Sequence, residues 1–451
     1  MPSSRISLIA FGLLVTAAAA GAQTVDSTQV QQQSIQYLRA QDQRGINVFE
    51  TPKVAGATFN GFKLAWGAAF TQQFQGLSHS NTADSIAVAA VNPSPGNAGS
   101  AANPNRNKLM LIGKGFNNAT ANLYMHAQLA KGIRIQLTSY LSARHHNETW
   151  VKDGFLQIDE SPIDLPLLNN IMKYTTVKIG HFEVNYGDFR FRRSDNGQAI
   201  YNPFVGNAIM DAFTTEIGAE AIVQHKGAFG VLALTNGEIR GNITRPADRA
   251  PALMGKLGFD RKLSDDLRVR LSGSYRTQSS AISNTLYSGD RAGSRYYYVL
   301  ENDKSTESAN FTSGRVNPGF GDKLAAYMIN PFIKFHGAEF FGMYESAKGR
   351  AAPNTTPERE VKQYMAEGIY RFLGNEKLFV GGRWNSVEGD LGGANRAVTV
   401  TRTNFGGGWF ITPTLQLKGE LVNQRYTGFA KSDIRSGGRF KGFMIEAVTA
   451  F

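Results

Sequence analysis

The chain has 451 residues, with 48 Lys and Arg against 36 Asp and Glu, and no cysteine. The lack of cysteine excludes disulfides, thiolate zinc clusters and thiol chemistry. The formal net charge of +12 contains no run of five like charges, so there is no basic tail.

Residues 1–22 read as an export signal. Arg5 is the short positive region, Ile6 to Thr16 is an apolar core too short to span a bilayer, and Ala20-Gly21-Ala22 is a cleavage site. The mature chain is then expected to begin at Gln23, one positive charge poorer. Export speaks against nucleic acid as the partner of the remaining charge and leaves anionic surfaces or solutes. No later stretch is apolar enough for a transmembrane helix. Abundant glycine and aromatics with a slightly polar mean hydropathy fit a membrane β-barrel, in which lipid-facing and lumen-facing residues alternate.

Residues 23–60 are expected to be a periplasmic N-terminal segment. Its first part, 23–44, is rich in Gln and Ser, with Ile35, Tyr37 and Leu38 as the few apolar points. A short helix and a loosely ordered terminus are both open. Gly45 to Lys53, stopped by Pro52, either tucks into the barrel or leads into the first strand.

From Gly61 the period is two. Phe62, Leu64, Trp66, Ala68, Phe70 and Phe74 share one face for about fourteen residues, longer than a usual soluble strand. The same alternation follows over 123–129, 133–141, 150–159, 174–182, 214–226, 229–238, 253–260 and 267–278. It resumes over 323–335, 338–348, 361–372, 377–386, 398–411, 414–426 and 439–451, giving sixteen strands in 61–451. Short turns at 131–132, 227, 264–266, 337, 374–375 and 412–413 alternate with long polar links at 75–119, 184–212, 279–321, 349–360, 387–397 and 427–438. The exceptions are a short link near 146–149 and a longer one at 161–172. An even strand number with short turns on one side and long loops on the other describes a 16-stranded antiparallel transmembrane β-barrel. Closure also pairs every backbone group inside lipid.

The stretch Gly180 to Asp211 fails to turn back after its strand. It carries Arg190, Arg192 and Arg193 beside Asp188 and Asp195, with Tyr186, Phe189, Phe191, Tyr201 and Phe204. A link this long is usually functional or disordered, and its aromatics argue against disorder. It is expected to fold into the barrel mouth as a constriction loop. Its arginines could bind anions through two-oxygen forks or pin the loop to the wall; its aromatics could dock it or form a slide for sugars.

The inward face of the wall is expected to carry Arg134, Lys178, Lys256, Arg268, Arg270, Arg276, Lys334, Arg383 and Lys418. Against these stand Glu216, Glu220, Asp260, Glu339, Glu345 and Glu420. Charge rings set ion preference in pores, so this balance leans mildly toward anions. Arg268, Arg270 and Arg276 form a basic ladder, with Glu216 and Glu220 as possible partners.

The signal, the sixteen alternating segments and the terminal Phe451 together resemble bacterial outer-membrane porins. Val177-Lys178-Ile179-Gly180-His181-Phe182 running into Tyr186-Gly187, with the hairpin from Thr215 to Asn236 and Gly237, resembles the phosphate-selective porin (porin O and P) family. This sequence has no lysine-rich cluster of the kind that family uses for phosphate. The resemblance implies passive diffusion of small hydrophilic solutes or ions, outer-membrane lipid as surroundings and a homotrimer with one pore per subunit. It also implies delivery by an assembly machinery that reads Phe451. Small anionic or neutral solutes are the expected cargo, with no cofactor and no metal. A plugged or substrate-specific transporter or receptor is the alternative.

An outer-membrane hydrolase is the third reading, resting on His145-His146 with Asn147 and Glu148. Adjacent strand residues face opposite sides, so two neighbouring histidines cannot share an ion without a bend. No Gly-x-Ser-x-Gly, His-Glu-x-x-His or phosphate loop occurs, and the chain is expected not to be an enzyme.

Overall fold

The computed structural model describes residues 35–86, 106–145, 148–239, 243–290, 293–306, 312–352 and 356–451. The expected signal over 1–22, the residues up to 34, and His146 and Asn147 lie outside the described residues.

The described strands are β1 (Lys63–Ser80), β2 (Lys114–Phe116), β3 (Thr120–Ala130), β4 (Ile133–Ser142), β5 (Trp150–Ile158) and β6 (Thr175–Glu183). Then come β7 (Thr215–His225), β8 (Ala228–Thr235), β9 (Ala252–Lys262), β10 (Leu267–Gln278), β11 (Lys323–Phe335) and β12 (Ala338–Arg350). The last are β13 (Arg359–Phe372), β14 (Leu378–Gly389), β15 (Val398–Thr412), β16 (Leu415–Thr427) and β17 (Arg439–Ala450). From β3 onward each strand pairs antiparallel with the next, and β1 closes the ring by pairing with both β17 and β3. Short β2 pairs with β1 beyond the end of β3. The wall is therefore a closed barrel of sixteen antiparallel strands.

The wall turns the soluble-protein rule inside out. Leu257 is 73% exposed and Leu232 66%, while Arg276 is 0% exposed and Glu216 0%. Outward residues alternate with these along each strand, and the outward set is apolar from Leu64 and Trp66 on β1 to Leu421 on β16. Soluble proteins rarely bury so many charged side chains while exposing a continuous apolar belt. Hydrocarbon outside the barrel and polar groups inside account for both.

Strand ends differ from the sequence expectation by a few residues. β1 runs on to Ser80, and β2 lies inside what reads as a polar link. The link 161–172 carries a helix, α1 (Pro166–Met172), with Pro at its first turn and no buried residue. Leu167, Leu168, Ile171 and Met172 stand at helical spacing, a signal the strand reading passed over. Residues 35–44 are neither helical nor loose: Ile35 is 2% exposed, and only a 3-10 turn forms, at Gln43–Gly45.

Candidate functional site

Three segments fill the space inside the wall. The first is 184–214, the link between β6 and β7. Thr71 Oγ1 on β1 donates to Gly197 O at 2.7 Å, and Asn196 Nδ2 donates to Ala121 O on β3 at 2.7 Å. Asp188 N donates to Asn330 Oδ1 on β11 at 2.8 Å, and Ile209 N to Asn385 Oδ1 on β14 at 2.7 Å. Val205 N donates to Glu420 Oε2 on β16 at 2.8 Å. A segment that touches strands all round a closed barrel lies within its lumen. Gly197 shows how closely: a Cβ there would sit 2.6 Å from Ala69 O and from Ala121 Cα. Gly187 needs its left-handed φ of +69°, and a side chain would also meet Met328 Sδ.

The second segment is 35–60, held at the short-turn end. Gln43 N donates to Pro413 O at 2.9 Å, Lys53 Nζ to Thr175 O at 2.9 Å, and Gln224 Nε2 to Thr51 O at 2.9 Å. The third is the link between β10 and β11. Tyr287 OH donates to Glu345 Oε1 at 2.7 Å, and Tyr296 OH to Glu420 Oε1 at 2.6 Å. Glu420 thus holds two segments at once.

Segments one and two meet deep in the barrel. Arg192 Nη1 donates to Asn47 Oδ1, and Arg39 Nη2 donates to Phe191 O at 3.0 Å. The loop therefore reaches past the mouth, where the sequence reading placed it, to the segment held at the short-turn end. Its aromatics pack rather than line an open path: Tyr186, Phe189, Phe191 and Phe204 are buried, and the Tyr201 ring lies 3.8 Å under the Arg39 guanidinium.

Each charged residue singled out in the loop is paired. Arg190 Nε is 3.0 Å from Glu183 Oε1. Arg192 Nη2 is 2.6 Å from Glu367 Oε1 and 3.7 Å from Glu339 Oε2. Arg193 Nη2 is 2.8 Å from Asp211 Oδ2 and also reaches Asp290. Asp195 accepts from Lys152 at 2.6 Å and from Tyr140 OH. Asp188 takes Arg270 Nε at 2.8 Å and Lys256 Nζ at 2.6 Å. Burial alone would raise the Asp188 carboxyl, but these two cations outweigh it and hold it well below the usual carboxylate range. The same pair holds Glu50 of the second segment low against its burial, at 2.9 Å from Lys256 and 2.8 Å from Arg270.

The wall residues singled out in the sequence are buried or half-buried, and most are paired too. Arg268 binds Asp260 at 2.6 Å, Arg276 binds Glu216 at 2.5 Å, and Lys178 binds Glu220 at 3.0 Å. Lys334 lies 3.4 Å from Glu339, and Arg383 2.6 Å from Glu367. Lys418 is 2.6 Å from Glu446. Glu345 takes only neutral donors. Arg134 is bonded to neutral oxygens alone, from Gln136, Gln157 and Tyr37. Period-two reading gives the face of a residue but not its partner across the lumen. It therefore missed Glu50, Lys152, Glu183, Asp290, Glu367 and Glu446, none of which has a distinguishing local signal.

By structure the chain is similar to OprB of Pseudomonas putida at 8% identity and a TM-score of 0.50, over 87% of this chain and 94% of that one. It is also similar to an anion-selective porin from Comamonas acidovorans (10% identity, TM-score 0.48, 86% and 100% covered). The outer membrane channel DcaP of Acinetobacter baumannii gives 9% identity and a TM-score of 0.48, with 87% and 98% covered. No family model matches the sequence, and no curated protein matches it. The likeness is one of fold.

Proposed function

We propose that the protein is an outer-membrane porin that lets small hydrophilic solutes or ions diffuse through a narrowed lumen. The observation that carries this reading is the inverted barrel: sixteen closed strands with an apolar outer belt around a polar, ion-paired interior. Residues 184–214 are the constriction in this reading, with Arg190, Arg192 and Arg193 pinning it and Asp188 and Asp195 as counter-anchors. The barrel occupies 61–451 behind a cleaved signal and a periplasmic segment 23–60. We carry the phosphate-selective porin resemblance as architecture alone, because the inward lysines Lys178, Lys256 and Lys418 sit apart, each beside a carboxylate. A homotrimer and delivery through recognition of Phe451 complete the proposal. The anion lean is mild, since the ladder on β10 is neutralised.

Ohmic channels in a planar bilayer are expected, with a reversal potential under a KCl gradient displaced slightly toward chloride. A barrel that never conducts at any voltage would sink the diffusion reading. The filling of the lumen by three segments favours a second reading, a plugged, substrate-specific transporter or receptor. Removal of residues 23–60 separates the two. A diffusion porin conducts both before the deletion and after it. A plugged barrel conducts only after it.

A further inference from the structure

On the outside of the barrel, the apolar belt ends differently on opposite walls. At the long-link end of β11 to β13 each outward lysine has a carboxylate. Lys323 lies 2.6 Å and Lys348 3.4 Å from Glu358, and Lys362 lies 3.5 Å from Glu360. The same end of β16, β17 and β2 carries Arg425, Arg439, Lys441 and Lys114. None of these four has a carboxylate at ion-pair distance among the described residues.

The strand register brings these cations together. Arg425 on β16 stands directly opposite Arg439 on β17, and Lys441 follows on the same face, opposite Asn423 on one side and Ser78 on the other. Phe440, between Arg439 and Lys441, is fully buried in the lumen, so its two neighbours point out. Directly opposite side chains have Cβ atoms about 5 Å apart, and like charges placed so repel. Of the Arg439 donors only Nε is used, to Asn423 Oδ1 at 2.9 Å. The side chains of Arg425 and Lys441 donate to no described residue. Across β1, Lys114 pairs with Gly76, and its Nζ lies 5.9 Å over the ring of Phe443. Toward the middle of the membrane the surface turns aromatic: the Phe74 ring is 6.3 Å from Phe443 and 5.3 Å from Phe116. Phe116 and, on β16, Leu421 are exposed. A tilted strand crosses hydrocarbon in about nine to eleven residues, so with Leu415 at the short-turn end of β16, Arg425 stands at headgroup depth.

We propose that this rim binds a phosphorylated lipid of the surrounding leaflet. Its phosphate sits between Arg425 and Arg439 with Lys441 beside them, and its acyl chains lie over Leu421, Phe443 and Phe116. Guanidinium donors match phosphate oxygens two at a time. An anion between the opposed arginines turns their repulsion into attraction to a shared partner. A zwitterionic headgroup brings its own cation to a rim that already has four. A free phosphate meets the charge but leaves the aromatic surface uncovered, whereas acyl chains gain from every methylene they lay on it. The proposal rests on the porin reading only for the bilayer around the barrel, and it assigns a selective lipid contact that diffusion does not require.

The test is native mass spectrometry of the full barrel released from detergent micelles, titrated with phosphatidic acid, with phosphatidylcholine and with inorganic phosphate. Phosphatidic acid is expected to saturate at one molecule per subunit and phosphatidylcholine not to be retained. Excess inorganic phosphate should not displace the bound lipid. Arg425→Gln and Arg439→Gln should each weaken phosphatidic acid by at least about tenfold, the worth of one charge-assisted hydrogen bond. Lys441→Gln should act in the same direction and keeps the test decisive if an arginine variant fails to assemble. Lys323→Gln, on the neutralised wall, is the control and should leave binding unchanged. The site is overturned by equal retention of phosphatidylcholine, by undiminished binding in Arg425→Gln, by an equal loss in Lys323→Gln, or by displacement with inorganic phosphate. A barrel that conducts in planar bilayers but fails these tests loses the site alone. One that holds phosphatidic acid selectively without conducting loses the diffusion reading alone.

Discussion

The two sides of the lumen treat their arginines differently. Along β10, Arg268, Arg270 and Arg276 each face a carboxylate, from Asp260, from Asp188 with Glu50, and from Glu216. Across the lumen, Arg134 on β4 and Arg39 in the segment 35–60 hydrogen-bond only to amide and backbone oxygens, with Asp153 and Asp159 near Arg134 and Glu183 near Arg39 but none at ion-pair distance. A count of inward basic residues treats the two sides alike. Pairing distinguishes them: the first side is a set of direct ion pairs, and the second holds its guanidiniums by neutral hydrogen bonds, with carboxylates farther off.

Removing an anchor should have the largest effect. Asp188→Asn leaves Lys256 and Arg270 buried with Glu50 as their nearest remaining carboxylate, and breaking a buried pair in this way costs about 3 kcal/mol or more. Urea unfolding in detergent micelles should register that loss; a change below about 1 kcal/mol would mean that β10 is not an anchor side. The mirror experiment is Arg134→Met, which removes hydrogen bonds to neutral oxygens and no direct ion pair. It should cost about 1 kcal/mol or less in the same assay. A loss equal to that of Asp188→Asn would erase the distinction.

The smallest effect lies at the long-link end. Glu301, in the link between β10 and β11, is pushed up to about 7 by burial, with only partial relief from Ser313 and Arg435. A carboxyl raised on folding favours its protonated form in the native state. Its contribution is therefore fully present below its ordinary value near 4.5 and is lost as pH rises toward 7. Hydrogen-exchange protection of the Met110 amide, which donates to Glu301 O at 3.0 Å, should fall across that window and become flat in Glu301→Gln. No change with pH in the native protein would place the end of this link outside the comparison.

Much of this was legible in advance. Trp66, Phe70 and the alternation after them give strand number and facing, because both are local properties of a period-two chain. The long link after β6 was legible from its length and aromatics. Its partners were not: that Arg192 meets Glu367 and Asn47, or that Glu50 shares two cations with Asp188, depends on contacts across the barrel between residues far apart in sequence. Residues 35–44 were unreadable for a related reason. Their order comes from the wall they lie against, through contacts such as Gln36 N to Gln128 Oε1 at 2.9 Å, and not from any periodicity of their own.

The seam between β1 and β17 has a consequence for the order of assembly. It pairs Ala69 with Ala450 and Ser80 with Arg439, and Phe451 N donates to Ala68 O at 3.0 Å. These contacts join the two ends of the wall, so they have the greatest sequence separation in the ring and carry the largest entropic delay. Every other strand pairing spans far less of the chain and can form before the ring is complete. Segment 184–214 bonds to β1, β3 and β16, which lie on both sides of that seam. It therefore has to be taken in as the ring closes, and the same step that removes the last free strand edges sets the path left through the barrel.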